Sequence, residues 1–309
     1  MRHSLVSHGA RVLVAETMGA DRILITGASG WLGRTALDLI APLELPTLAL
    51  ASRPRTIHVA GRDIDCQVWD DGLITDFAPT VVMDCAFLTR DRVADMPLPD
   101  YIAVNRTLTE RLIFATRLAG VRFALTVSSG AATYPADALC GTIEANPYGY
   151  LKREAEKSLS RVAAECGVAA VVARAWSISG AYVQKPQGYA FGSMILAAMA
   201  GRIRVTAAGR VYRRYVLAEE LLALGIAEGS IGSATIDTGG ELVEMGELAQ
   251  RIAAVVRPDA VITRVEADPR ITDFYHSDGL DWERRCLAWG LDSAALDRQI
   301  EVTTRGLLL

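Results

Sequence analysis

No run of about 18 consecutive apolar residues occurs in the chain, so a membrane-spanning helix is not expected. Cysteine is sparse: Cys66, Cys85, Cys140, Cys166 and Cys286 are scattered through 309 residues. An odd count with no C-x-x-C pair favours neither a zinc site nor a disulfide framework, and no metal is expected. Unpaired thiols fit a reducing cytoplasm. There is no excess of basic charge, the formal net charge being −4, so a general nucleic-acid binder is disfavoured. Internal repeats and low-complexity linkers are also missing. What is present, 51% hydrophobic and 22% charged residues, is the balance of a soluble globular chain. Its length suits one large domain or two smaller ones.

The stretch that organises the rest is Arg22–Ile40, RILITGASGWLGRTALDLI. Ile23-Leu24-Ile25 reads as a buried parallel strand. Thr26-Gly27-Ala28-Ser29-Gly30 turns the chain, and a helix runs from Trp31 through Leu32 and Gly33 to Ile40. Gly27 permits the tight turn, Gly30 lets backbone N–H groups approach a pyrophosphate, and Gly33 lets the helix pack on the sheet. The spacing is G-x-x-G-x-x-G rather than the standard G-x-G-x-x-G. Upstream, Arg11 and Glu16 break any signal-peptide core. Met18 sits where a dinucleotide-binding domain would start. Residues 1–20 are therefore expected to be a disordered extension, 21–180 a dinucleotide-binding domain, and 181–309 a substrate-binding region with segments returning to the main sheet.

Further strands are expected at Thr47–Ala51, Asp65–Trp69, Thr80–Asp84, Phe123–Val127 and Ala169–Ala173, with helices at Tyr101–Leu118 and from Tyr148 to about Cys166. This alternation predicts an α/β fold with a doubly wound parallel sheet of Rossmann type. The second strand ends in Ser52-Arg53-Pro54-Arg55, with no carboxylate. A basic residue there accommodates a 2′-phosphate, so NADP is expected before NAD. Tyr148 and Lys152 are four apart and share a helical face. A phenol normally titrates near pH ~10. A neighbouring ammonium stabilises its anion, making the pair suited to proton exchange during hydride transfer. A serine at the end of the strand before it, Ser129 or Ser128, can hold the same substrate oxygen.

With these segments together, the sequence resembles the extended short-chain dehydrogenase/reductase family, in its nucleotide-sugar epimerase, dehydratase and reductase branch. TGASGWLG, Asn105, NPYGYLK, Arg213-Arg214-Tyr215-Val216 and the late Leu287-Ala288-Trp289-Gly290-Leu291 carry the likeness over about residues 21–305. The resemblance implies a smaller, mostly helical C-terminal substrate domain, with a helix over Gly188–Ala200 followed by a strand to Val205. It implies Ser129, Tyr148 and Lys152 as catalytic residues. The implied cofactor cleft comprises Gly27, Ser29, Gly30, Trp31, Leu32, Gly33, Ser52, Arg53, Asp70, Cys85, Ala86, Asn105, Val127, Tyr148, Lys152, Ala175, Ser177 and Ile178. Asn105 would support Lys152 through backbone and water contacts. Ser129, Arg204 and Arg213 would meet the substrate, Arg213 through its diphosphate. A homodimer is expected, packed as a four-helix bundle, with Leu108, Leu112, Ala115 and Ala163 as candidates for the shared face and burial on their own sheet as the alternative. Glu219 and Glu220 would complement a helix dipole, and His276 would be structural.

The chain departs from the family in three places. The position four residues before Tyr134, where the family has its catalytic hydroxyl, is Gly130, so a one-residue insertion must make Ser129 that group. Gly130-Ala131 stand where dehydratases carry Asp-Glu. Arg214 replaces an Asp in the substrate segment. The activity expected is NADP-dependent reduction of a nucleotide-linked keto-deoxysugar. The alternatives are an epimerase with tightly bound NAD(P), or a non-catalytic dinucleotide-binding regulatory protein, which would have no need of Tyr148 and Lys152.

Overall fold

The computed structural model describes residues 5–134, 141–266, 268 and 270–308. Residues 1–4 of the expected extension, Cys140, and positions 135–140 of the loop before Pro147 lie outside these. In chain order the elements are α1 (His8–Thr17), β1 (Ile23–Thr26), α2 (Trp31–Ile40), β2 (Thr47–Ala49), β3 (Arg55–Val59), β4 (Arg62–Cys66), α3 (Asp71–Phe77), β5 (Val81–Asp84), α4 (Leu98–Thr116), β6 (Phe123–Ser129), α5 (Pro147–Cys166), β7 (Ala169–Ala175), β8 (Ile178–Ser179), α6 (Ala190–Met199), β9 (Arg202–Val205), β10 (Arg210–Leu217), α7 (Ala218–Ile231), β11 (Ala234–Asp237), β12 (Glu241–Glu244), α8 (Met245–Val256), β13 (Val261–Arg264), β14 (Thr272–Tyr275), α9 (Leu280–Trp289) and α10 (Leu296–Leu307).

The main sheet has six parallel strands in the order β11-β7-β6-β5-β1-β2. Strands β1, β5 and β6 are buried on both faces, as their unbroken apolar runs require. One face packs under α1, α2, α7 and α9, with Ile23, Ile25, Met83, Leu125, Leu221 and Trp282 in its core. The other packs under α4 and α5 through Leu24, Val82, Ala124, Leu112 and Leu159. A second core joins α6, α8 and α10 to β9, β10 and β12. There β12, β10, β14 and β8 form one small sheet, and β13 and β9 another.

Four expectations need correction. The strand placed at Asp65–Trp69 does not form; β4 instead closes a hairpin with β3. Ala60 and Gly61, at φ 53° and 76°, make the doubly left-handed turn that suits a two-residue hairpin. Only the Leu50–Gln67 bridge extends the main sheet beyond β2. Secondly, residues 8–17 are helix α1, capped by the Ser7 hydroxyl. Val6, Ala10, Leu13, Val14 and Met18 are buried in the main core, apolar periodicity that the two charged residues obscured. Thirdly, Leu112, Ala115 and Ala163 are sealed beneath their own helices and offer no shared dimer face. Outside them, α4 and α5 carry ion pairs such as Arg106–Glu154 and Arg161–Glu165. Lastly, Glu219 and Glu220 stand in the first turn of α7, where a dipole match places them, but they are buried rather than exposed. Glu220 accepts from Ser293 Oγ at 3.0 Å and the Ala294 N–H at 2.7 Å, tying down the segment before α10. Burial pushes both carboxyls up, to about 8 and about 7.

Candidate active site

The glycine loop is shaped by contacts that exclude side chains. Gly27 has φ 62°, and a Cβ there would lie 2.6 Å from the Cys85 carbonyl oxygen and 2.8 Å from the Ala86 nitrogen. A Cβ on Gly33 would meet the Gly27 carbonyl oxygen at 2.3 Å. Gly30 begins α2 without a side-chain cap, leaving the first helical N–H groups free for an anion. Leu32 packs on the main core. The Ser29 carbonyl accepts from Arg34 Nε at 3.1 Å and from Gln184 Nε2 at 2.7 Å. Trp31 lies edge-on to Tyr189, and its buried Nε1 has no partner. Arg55 Nε is likewise buried and unpartnered, whereas Ser52 and Arg53 are exposed. Such a cradle, with donors left unsatisfied around it, fits a dinucleotide.

Lys152 is buried beside this loop. Its Nζ donates to the Val127 carbonyl at 2.6 Å and stands 3.7 Å from the centre of the Phe87 ring. Burial lowers its pKa to about 8 against the opposing fields of Asp84, Cys85 and Glu156. Tyr148 lies one turn earlier on α5, edge-on to Phe87. Burial drives its phenol above the usual range, and a hydrogen bond with Ser129 opposes that.

Successive strand residues point to opposite faces, and the two candidate serines diverge accordingly. Ser129 Oγ is 3.1 Å from Tyr275 Oη and faces Tyr148. Ser128 Oγ donates to Glu156, which also receives two bonds from Arg174, at 3.0 and 2.7 Å. Ser129→Ala is therefore expected to reduce turnover by about 10²-fold, as for loss of one hydroxyl donor at a reacting oxygen. Ser128→Ala should leave turnover nearly intact while costing about 1 kcal/mol of stability. Steady-state rates and thermal melts of the two variants check this, and the reverse order would move the catalytic hydroxyl to Ser128.

Tyr275 was not legible as a site residue. Strand β14 pairs with β10 and carries it to the end of β6, against Trp176 at 5.0 Å. Trp176 in turn explains Gly130, where a Cβ would lie 2.2 Å from the indole. Arg213 sits over the Tyr275 ring and bonds Asp273 at 2.7 Å, so Arg213 and Ser129 meet around Tyr275. Arg214 instead holds the Gly240 carbonyl at 2.6 Å.

Other expected residues fall elsewhere. Arg204 lies exposed on β9. Asp70 spends its carboxylate capping α3, accepting from the Leu73 N–H at 2.7 Å. Asn105 is buried; its Oδ1 accepts from the Leu88 N–H at 2.9 Å, and its Nδ2 is unpartnered. Ala175 ends β7 beside the main core. The Ser177 carbonyl accepts from the Val216 N–H at 3.4 Å, and Ile178 opens β8. His276 Nδ1 lies 2.5 Å from the Ser277 carbonyl oxygen.

Residues 23–224 match the NAD dependent epimerase/dehydratase family. The chain belongs to that family. No curated protein matches it by sequence. Among solved structures, it is similar to UDP-glucose 4-epimerase from Brucella ovis in complex with NAD, at 20% identity and TM-score 0.72, covering 93% of this chain and 99% of the other. A GDP-L-fucose synthetase from Naegleria fowleri bound to NADP gives 14% and 0.70, covering 94% of each chain. The NDP-hexosamine 5,6-dehydratase TunA gives 16% and 0.70, covering 93% and 97%. At these identities the likeness establishes this family member's fold, and the three chemistries differ. Among the described residues no helix is long and apolar enough to cross a membrane, and no cluster of metal ligands occurs.

Proposed function

We propose that this family member is an NADP-dependent oxidoreductase that reduces a keto carbon of a nucleotide-linked deoxysugar. The observation that carries the reading is the convergence of Tyr148 and Ser129 at the end of the central strand β6, with Lys152 buried beneath them. When bound, the dinucleotide supplies the hydride. Tyr148 donates its proton to the forming alkoxide, Ser129 orients that oxygen, and Lys152 holds the ribose hydroxyls. Arg213 is offered for the diphosphate, since a guanidinium fork matches phosphate oxygens. Gly130-Ala131 supply no acid and base for eliminating water, which disfavours a dehydratase. The test is NADPH oxidation across a panel of nucleotide-linked keto sugars.

The choice of NADP rests on the arginines near the end of β2. Arg53 is exposed there, Arg55 keeps an unpartnered Nε, and the fields of Arg34 and Arg55 both reach Cys66 between them. NADPH is expected to bind about 10–100-fold more tightly than NADH, the worth of one charge-assisted phosphate contact. Arg53→Asp should narrow or reverse the ratio in fluorescence titrations, and a clear wild-type preference for NADH would reject it. A second reading, epimerisation with retained NAD(P), is favoured by one feature. Gln184 bonds the glycine loop while the adjacent Lys185 pairs with Asp91 at 2.9 Å, so this segment straps the loop to the 3-10 turn at Arg90–Ala94.

A further inference from the structure

The neighbouring strands β1, β5 and β6 put three polar residues side by side. Thr26 is in register with Asp84, and Asp84 with Thr126. Two residues earlier on the same face, Leu24, Val82 and Ala124 pack beneath α4 and α5, so the polar row lies on the side from which Lys152 descends. Asp84 is buried, and both its oxygens are engaged: Oδ1 by the Thr26 hydroxyl at 2.6 Å and Oδ2 by the Thr126 hydroxyl at 2.9 Å. Thr26 Oγ1 itself accepts the Ala86 N–H at 3.2 Å, which turns its proton toward Asp84. One carboxylate oxygen is thus fixed as an acceptor.

We propose that Asp84 is a positioning residue that keeps Lys152 a cation. The proposal rests on the reading of Lys152 as the group that holds the dinucleotide. Few other groups can do this. Cys85 is a thiol that burial and the Asp84 charge hold protonated. Glu156, one turn beyond Lys152, is committed to Arg174 and Ser128. Tyr148, one turn before, is kept protonated by burial, and the Phe87 face offers only its quadrupole. Burial holds the Asp84 carboxyl above the usual carboxylate range, and the Thr26 and Thr126 hydroxyls, Lys152 and the Ala86 N–H pull it back toward the anion. Each charge is costly without the other, and the Thr26 and Thr126 hydroxyls on Asp84 and the Val127 carbonyl on Lys152 offset part of that cost.

The sequence makes the test direct. Lys152, Lys157 and Lys185 are its three lysines, so protein labelled at the lysine ε-carbon gives three resonances, assignable with Lys157→Arg and Lys185→Arg. In the wild type without dinucleotide, Lys152 is expected to lose its proton near pH 8. In Asp84→Asn the midpoint should fall by about one pH unit or more, the usual effect of an opposite charge at close range. NADPH affinity should then decline at correspondingly lower pH, because the cation is present below the midpoint and lost above it. Thr126→Val, which keeps the carboxylate but removes one of its donors, should move the midpoint less in the same direction, and it decides the matter if Asp84→Asn does not fold. An unmoved Lys152 midpoint in a folded variant would overturn the proposal. Failure of the oxidoreductase reading is separate: it would show as unchanged turnover in Tyr148→Phe, whatever the lysine resonance does.

Discussion

Tyr148→Phe is expected to lower turnover by about 10²–10⁴-fold, the range for losing a positioned proton donor, with NADPH affinity nearly unchanged. The phenyl ring keeps its edge contact with Phe87, so the surrounding packing survives and the loss is chemical. The Tyr275 hydroxyl reaches Ser129, but it arrives on β14 rather than on the α5 face that carries Lys152. It should not substitute, and Tyr275→Phe should cost far less. Single-turnover kinetics with NADPH and the productive keto sugar separate the hydride step from binding. Unchanged turnover in Tyr148→Phe would reject the reductase reading and leave a dinucleotide-binding protein in its place.

Gly33→Val is expected to fail in the opposite way, through the scaffold. Its Cβ would fall 2.3 Å from the Gly27 carbonyl oxygen and 2.6 Å from the Ala28 Cα. Both are backbone atoms of the glycine loop, so no side-chain rotation relieves the clash. The helix must lift from β1. Overpacking costs about 1–3 kcal/mol where side chains can yield, and a rigid site should reach the top of that range. At about 2–4 °C per kcal/mol for a domain of 150–250 residues, the melting temperature should drop by roughly 6–12 °C. Dinucleotide affinity should fall more than tenfold, because the N–H groups of α2 lose their aim. A wild-type melting curve with unaltered NADPH titration would show that the close approach is not needed.

Local chemistry is what made much of the site readable. Gly27, Gly30 and Gly33 announce a turn and a helix within one segment, and Tyr148 and Lys152 are joined by one helical turn. Ser129 and Ser128 are half of a strand's two-residue period apart and so face opposite sides, but which one faces Tyr148 depends on how β6 is set in the sheet. Tyr275 and Asp273 were out of reach because nothing in Thr272–Tyr275 names its partner. β14 gains its place from β10, about 60 residues earlier. The β3–β4 hairpin turns on Ala60-Gly61, without the Asn-Gly or Asp-Gly signal that marks such turns. Asp84 reads as the polar end of a strand, and its significance comes from threonines on two other strands. Glu219 and Glu220 read as a charged helix start; burial came from Ser7 and Gly180 beside Glu219 and from the segment before α10 over Glu220.

Helix α1 leaves the ribosome long before the surface it covers. Its main partner, α7, begins about 200 residues later, a delay of roughly 10–40 s at ordinary rates of synthesis. A ten-residue helix is marginal in water by itself, so α1 must wait as loose chain while β1, β5, β6 and β7 are laid down. Helix α1 is therefore seated on α7 after β1, β5, β6 and β7 have been made. It closes over the main core after the strands have chosen their neighbours.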